Sequence, residues 1–525
     1  MASRSILARR GPAFVAVLVL ALAACTSAAT PAPGAAVAPT GAPTSTGAAP
    51  RSLTIDLGDD VATFDPGLQY NTASYSVYRN IFDQLLGRDA NTGQIGPRIA
   101  TSWKPVSQTE WEFALRKDVK FHNGDPLTAE DVKFSIDRIL DPAFKSPQYQ
   151  NFSTIAEVRI ADPATVRIVT KSPYPVLLAQ LVNLSIVPVK YTKEKGAAAL
   201  NTAPIGSGPY RFVEWKKGES VSLAANGSYW RGTPYFDTVK FRAVPERATR
   251  VADLRSGTAD LAATLTADDV KQLSADPKLR VPTANTEAVA HVYFNVLGKS
   301  PAAKREVREA VAAAIDPKKL IDALLGGQAA PVREMLTPVH VGYDANAPTF
   351  SYDPQKAKEA LARAGLASGT TLTFLTSPSF DQRIVQAIQG QLEAVGITAK
   401  IETVDKPTYL KKIQGPEHDW GDIRYGEWSC SCLDADGVIY PLFRTGSIWS
   451  SYSNPAFDAA VDGARGTLDE SKRQALYGTA LRLLHDDIAA YGMWQTRAIY
   501  GARATLDWQP TVDEQLFVFD MKNKP

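Results

Sequence analysis

From residue 51 onward, short runs rich in β-branched and aromatic residues alternate with longer stretches whose apolar positions recur every three or four residues. The short runs predict strands at 51–57, 158–160, 165–170, 220–224, 238–243, 289–296, 371–376 and 397–403. The longer ones predict helices. Over 303–314 the residues Val307, Ala310, Val311 and Ala314 share one face. A second helix opens at Asp353-Pro354, runs through Leu361 and stops at Gly365, with Asp as N-cap, Pro at the first helical position and Gly past the end. Residues 382–395, closed by Gly396, and 470–487 keep the same period. Helix, glycine and strand follow in that order over 353–376 and again over 382–403, which predicts a βα-type lobe in the second half of a mixed α/β chain. Thr128-Ala129-Glu130-Asp131 is a capping pattern ahead of an apolar face of Val132, Ile136 and Ile139.

The first 50 residues break this rhythm. Arg4, Arg9 and Arg10 precede an uncharged run over 11–22 that ends in Leu22-Ala23-Ala24-Cys25, the layout of a secretory leader. The run is shorter than the ~20 residues of a membrane span. Leu-Ala-Ala-Cys resembles the bacterial lipobox, which makes Cys25 the lipidated first mature residue. The Arg9-Arg10 pair leaves the export route open. Residues 26–50 are Ala, Pro, Thr, Ser and Gly except for Val37, a composition that cannot offset its own ordering entropy. Such a tether spans roughly 25–30 Å as a flexible coil. No later segment has 18 uninterrupted apolar residues.

At 525 residues and 45% hydrophobic composition the chain can fill several cores, and its 57 basic and 55 acidic side chains nearly cancel. No whole-chain field therefore favours nucleic acid.

Several blocks resemble the extracytoplasmic solute-binding proteins that deliver di- and oligopeptides, nickel chelates and related solutes to ABC transporters. They are Phe64-Asp65-Pro66, Asn80-Ile81-Phe82-Asp83-Gln84-Leu85-Leu86, the long block from Trp111 to Val132, Pro204-Ile205-Gly206-Ser207-Gly208-Pro209-Tyr210, Tyr229-Trp230, Phe294-Asn295, and Tyr352-Asp353-Pro354. The resemblance covers about residues 51 to 500 and implies a two-lobed periplasmic-binding-protein fold of class α/β, with a hinge crossed twice near 284–295 and 491–496. It assigns 51–88, 205–288 and 496–525 to lobe I, 89–204 to an extra subdomain of that lobe, and 289–495 to lobe II, after a leader at 1–24 and a lipidated tether at 25–50.

The stretch 426–437, GEWSCSCLDADG, concentrates candidate chemistry. Cys430 and Cys432 lack a second pair at zinc-site spacing, so a disulfide ranks first, free thiols second and a metal third. Peptide-binding members of the resembled family carry Trp-x-x-Asp here, the Trp lining a side-chain pocket and the Asp pairing with the peptide ammonium. Trp428 matches, but Ser431 stands where the Asp is expected. Asp434 and Asp436 either replace that carboxylate or cap the segment that follows. Ser429 completes the candidates in this stretch, with Tyr70 and Tyr75 before the first helix and Trp420, Tyr425 and Trp449 flanking it.

No nucleophile elbow, His-Glu-x-x-His, Ser-x-x-Lys or Cys-x-x-Cys is present, and the five histidines are scattered. His291, in the suspected hinge strand, and His485 are read as structural. The chain is therefore read as a monomeric, lipid-anchored receptor on the outer face of the cell membrane. It hands a small organic solute, with a peptide leading, to an ABC permease. It uses no cofactor and no metal, binds no nucleic acid and catalyses nothing. An oligosaccharide, an opine-like conjugate or a chelated metal are the alternative solutes, and a secreted lipoprotein hydrolase is the alternative of another class.

Overall fold

The computed structural model describes residues 50–69, 71–89 and 92–525. The leader, Cys25, the tether up to residue 49, and Tyr70 lie outside the described residues. Among the described residues no helix is long and apolar enough to cross a membrane.

Two large sheets organise the chain. The first has seven strands in the order Leu279–Arg280, Gly501–Arg503, Leu261–Ala262, Ser52–Leu57, Thr238–Ala243, Ser220–Ala225 and Tyr210–Lys216. Ser52–Leu57 pairs in parallel with both of its neighbours and the remaining pairs are antiparallel. Its inward side chains, among them Leu53, Ile55, Val221 and Phe241, pack with Tyr78, Phe82 and Val518.

The second sheet has six strands in the order Ala330–Pro331, Ala490–Ile499, Thr283–Phe294, Ile423–Trp428, Thr370–Thr376 and Ile397–Thr403. Alternate residues of its central strand enter opposite cores, as the two-residue period of a strand requires. Ala290, Val292 and Phe294 meet the helices Arg305–Ala314, Pro354–Arg363 and Gln382–Glu393. Val289 and Tyr293 meet Pro455–Arg465 and Glu470–Asp487 on the other side. A sheet covered on both faces explains why its strands read as apolar runs.

The chain passes from the first sheet to the second between Arg280 and Thr283, and returns at Tyr500 between Ile499 and Gly501. The two passages touch, with Tyr500 N–H donating to the Pro282 carbonyl at 3.1 Å. They sit at the outer ends of the paired strands Thr283–Phe294 and Ala490–Ile499.

A third, antiparallel sheet of Ala100–Pro105, Glu110–Leu115, Thr165–Thr170 and Ile155–Asp162 lies against helix Ala129–Leu140 through Phe113, Val158, Ile168, Val132 and Ile136. The capping box is formed, with the Thr128 N–H donating to Asp131 Oδ2 at 2.8 Å. The helix from Pro354 is capped by Asp353, which accepts from the Gln355 and Lys356 N–H groups, each at 3.0 Å, and Gly365 follows it at φ 75°.

Three of the sequence blocks converge on Asp83. Its carboxylate is fully buried and accepts from Ser207 Oγ at 3.0 Å, Tyr229 Oη at 2.9 Å and Trp230 Nε1 at 3.1 Å. The glycine turn at 206–208 exists for this packing, since a Cβ on Gly206 would lie 2.0 Å from the Ile81 carbonyl oxygen. It is a backbone turn and not a phosphate cradle.

Candidate ligand-binding cleft

The strand Ile423–Trp428 delivers the 426–437 stretch to the edge of the six-stranded sheet, and the chain then folds back as a compact loop. Cys430 and Cys432 are joined by a disulfide with their α-carbons 5.1 Å apart. Gly437 packs beneath it, where a Cβ would lie 2.1 Å from Cys430 Sγ. Trp428 Nε1 donates to the Gly437 carbonyl at 3.0 Å, and the half-buried indole meets Trp449 edge-on with ring centroids 5.2 Å apart.

This loop reaches across to the first half of the chain. Asn183 Nδ2 donates to Ser431 Oγ at 3.0 Å, and Arg88 Nη2 donates to the Ser431 and Cys432 carbonyls at 3.1 and 3.4 Å. Arg465 adds a contact over the ring of Tyr174, 5.7 Å from its centroid. Ser431 thus bridges the two halves.

Asp434 and Asp436 are buried and already engaged. Asp434 Oδ1 lies 2.6 Å from Arg473 Nη2 and accepts from Tyr477 Oη at 3.1 Å and from the Asp436 N–H at 2.9 Å. Asp436 accepts from Arg465 Nη2 at 3.0 Å, with Arg465 Nε equally close to its other oxygen. Burial pushes Asp436 up to about 6, Arg465 opposes the shift, and Asp434 adds to it. An incoming ammonium would have to displace an arginine from either acid, and Asp434 also caps the turn Ala435–Gly437.

The aromatic candidates divide. Trp420 is buried with its Nε1 donating to Ser451 Oγ at 2.9 Å, and Tyr425 is buried with its hydroxyl donating to Glu427 Oε1 at 3.0 Å. Tyr75 is half-buried beneath Arg79, and Ser429 is exposed. His291 is buried beside Arg424, its Nδ1 3.0 Å from the Val289 carbonyl, and burial holds it neutral down to about 3.

Sequence reasoning missed a set of acids. The strands Thr283–Phe294 and Ala490–Ile499 lose register between Asn285 and Val289, and this irregularity turns Glu287 out of the ladder. Burial pushes Glu287 up to about 8, with Glu514 and Asp513 adding to the rise and Arg88 opposing it. Glu514, at φ 57°, is pushed up to about 7 by burial and then by Asp513 and Glu427. Glu427, whose carboxylate accepts from the Tyr425 hydroxyl at 3.0 Å, is also raised, burial again leading. The signal was slight: Thr-Glu-Ala-Val places a lone acid where the polar start of the strand gives way to its apolar end.

The segment carrying Asp513 and Glu514 contributes lining residues to two cavities. One of about 650 Å³ is lined by Gly58, Asp59, Thr264, Arg497 and Glu514, where the first strand of the seven-stranded sheet ends. The other, of about 580 Å³, is lined by Arg79, Arg88, Arg98, Asp513 and Phe517.

Two sheets joined by paired crossings, with a loop spanning the space between the halves, define a two-lobed solute receptor. Residues 94–450 match the model of the bacterial extracellular solute-binding proteins, family 5. The chain belongs to this family. It is 30% identical over 465 residues to the glutathione-binding protein GsiB of Pectobacterium atrosepticum, covering 85% of this chain and 88% of that protein. It is 28% identical over 466 residues to heme-binding protein A of Haemophilus influenzae, covering 82% and 83%. Among solved structures it is similar to the periplasmic binding protein DppA of Helicobacter pylori in complex with the peptide STSA, with TM-score 0.77, 27% identity and coverage of 90% and 98%.

Proposed function

We propose that this chain captures a peptide or an organic solute of similar size between its lobes and delivers it to the permease of an ABC importer, as a monomer and without catalysis. The observation that carries the reading is the 426–437 loop. It holds an aromatic wall at Trp428 and contacts Asn183 and Arg88 of the opposite half, so a ligand beneath it would touch both halves. Such a ligand stabilises the closed form by its differential affinity for it.

The lobe assignment carries over, with the crossings drawn outward to 281–282 and Tyr500. The leader and Leu-Ala-Ala-Cys25 support a lipid anchor on the outer face of the cell membrane, with 26–50 as the tether. Glutathione for GsiB and the tetrapeptide for DppA support a peptide-like solute.

Native mass spectrometry of the protein as purified tests this reading. A retained peptide or comparable organic molecule, with unchanged ligand mass on prolonged incubation, is the expected result. A bare metal ion as the only ligand, or turnover of the bound molecule, would overturn it.

A further inference from the structure

The cavity of about 580 Å³ is walled by one half of the chain. Its lining residues all lie within 79–231 or 511–520, and none comes from 283–499, which carry the six-stranded sheet. It is therefore not the space that two closing halves would enclose.

Its lining is strongly cationic. Arg79, Arg88, Arg98, Arg116 and Arg231 contribute five guanidinium groups, against the three carboxylates of Asp89, Asp513 and Asp520. Those carboxylates do not neutralise the arginines. Asp520 lies 3.4 Å from Arg231, but Asp89 accepts from Thr92, and Asp513 accepts from the Thr511 hydroxyl and the Gln515 N–H. Arg116 pairs with Asp118, outside the lining, and Arg98 Nε is 3.9 Å from Asp83, whose oxygens already accept from Ser207, Tyr229 and Trp230.

Arg79 and Arg88 meet only neutral acceptors among the described residues. Arg79 is 7% exposed and donates to Gln515 Oε1, to Asn183 Oδ1 at 2.6 Å and to the Val182 carbonyl, and its buried Nε has no partner. Arg88 donates to the carbonyls of Gly93, Ser431 and Cys432. Burial pulls Arg88 below the ordinary arginine value, Asp513 opposes the fall, and Arg79 adds to it. Buried charges without a counter-charge are costly, so a cavity that collects them suits a ligand that brings negative charge.

The geometry also selects the kind of anion. The guanidinium planes are held in place, Arg98 over Phe517 at 4.6 Å, Arg116 over Trp230 at 4.1 Å and Arg231 over Phe519 at 4.6 Å. Fixed planar forks match the paired oxygens of carboxylate and phosphate groups. The volume falls within the roughly 300–1,000 Å³ of small-molecule sites, more than a monatomic ion fills.

We infer that this cavity is a second ligand site, separate from the solute cleft, for a small, multiply charged oxyanion that carries carboxylate or phosphate groups. Its charge offsets the repulsion between Arg79 and Arg88. These two residues hold the bridging loop, Arg88 directly and Arg79 through Asn183, so the bound anion steadies the bridge.

The test is isothermal titration of the full mature chain with pyrophosphate and with citrate at physiological ionic strength, on the natural protein and on Arg98→Gln, Asp513→Asn and Trp428→Ala. The natural protein is expected to bind at least one of the two anions saturably, and the tighter of the two tells phosphate from carboxylate. Arg98→Gln weakens that binding about tenfold, the worth of one hydrogen bond to a charged group. Asp513→Asn, which removes a negative charge from the lining, tightens it, and Trp428→Ala, at the wall of the solute cleft, leaves it unchanged. Misfolding does not imitate this pattern, because the two lining variants move affinity in opposite directions. No saturable binding of either anion, equal affinity in the natural chain and both lining variants, or loss of binding in Trp428→Ala overturns the inference. Each of these outcomes leaves the receptor reading standing.

Discussion

Asn183 donates to the hydroxyl of Ser431 at 3.0 Å, and this bond ties the half of the chain that carries the four-stranded sheet to the loop at the edge of the six-stranded one. Such a contact exists only when the two halves are apposed. Asn183→Ala therefore favours the open form and lowers solute affinity by up to about tenfold, the worth of a net ~0.5–1.5 kcal/mol hydrogen bond. Arg88→Ala, which loses two bonds to the same loop, weakens binding further. Small-angle scattering in the presence of the co-purifying ligand, together with its titration, checks both. Unchanged affinity in the two variants would show that the bridge does not contribute to closure.

Arg473→Leu leaves Asp434 buried beside Asp436 without its ion-pair partner. Removing one partner of a buried pair costs about 3–5 kcal/mol. The urea midpoint should fall accordingly, and Arg473→Leu combined with Asp434→Asn should recover part of the loss. An unaltered midpoint in the single variant would mean that Tyr477 and the Asp436 N–H hold Asp434 unaided.

Glu287 and Glu514 hold their protons more tightly in the folded chain than in the unfolded one, at about 8 and about 7. The unfolded state then binds fewer protons, so their contribution to stability is full below the ordinary carboxyl range and is lost as pH rises through 7 and 8. The buried histidines His122, His291 and His340 are shifted downward and act oppositely, below about 6.5. Between pH 6.5 and 9 the Tm of the unliganded protein therefore declines, and Glu287→Gln flattens the decline. Parallel Tm curves for the natural chain and the variant would remove Glu287 as its source.

Gly437→Ala forces a methyl group onto the disulfide, 2.1 Å from Cys430 Sγ and 2.4 Å from Cys432 Sγ. Overpacking of this kind costs roughly 1–3 kcal/mol and displaces the loop. Both thermal stability and solute affinity should drop. A neutral outcome would show that the loop re-forms around the bridge.

Local chemistry accounts for what was legible without coordinates. The helices from Asp353-Pro354, at 382–395 and at 470–487 were readable because caps, glycines and the 3.6-residue period act within a few residues of one another. The strands at 165–170, 238–243 and 397–403 were readable because β-branched runs mark them, and Thr165–Thr170, Thr238–Ala243 and Ile397–Thr403 match those spans. Ala490–Ile499 and the polar start of Thr283–Phe294 were not read as strands. Their residues Thr283, Asn285, Gln495 and Arg497 are held extended by the partner strand, more than 200 positions away in the sequence.

The candidate cleft divides in the same way. The sequence by itself determined the α/β class, the family blocks, Trp428 as an aromatic candidate and the missing carboxylate at Ser431. Only the tertiary structure decided that Asp434 and Asp436 belong to Arg473 and Arg465, that Ser431 meets Asn183, and that Glu287 is buried. The reason is physical: the charge state and availability of a carboxylate depend on burial and on partners that chain folding brings from far away, and no local pattern records them.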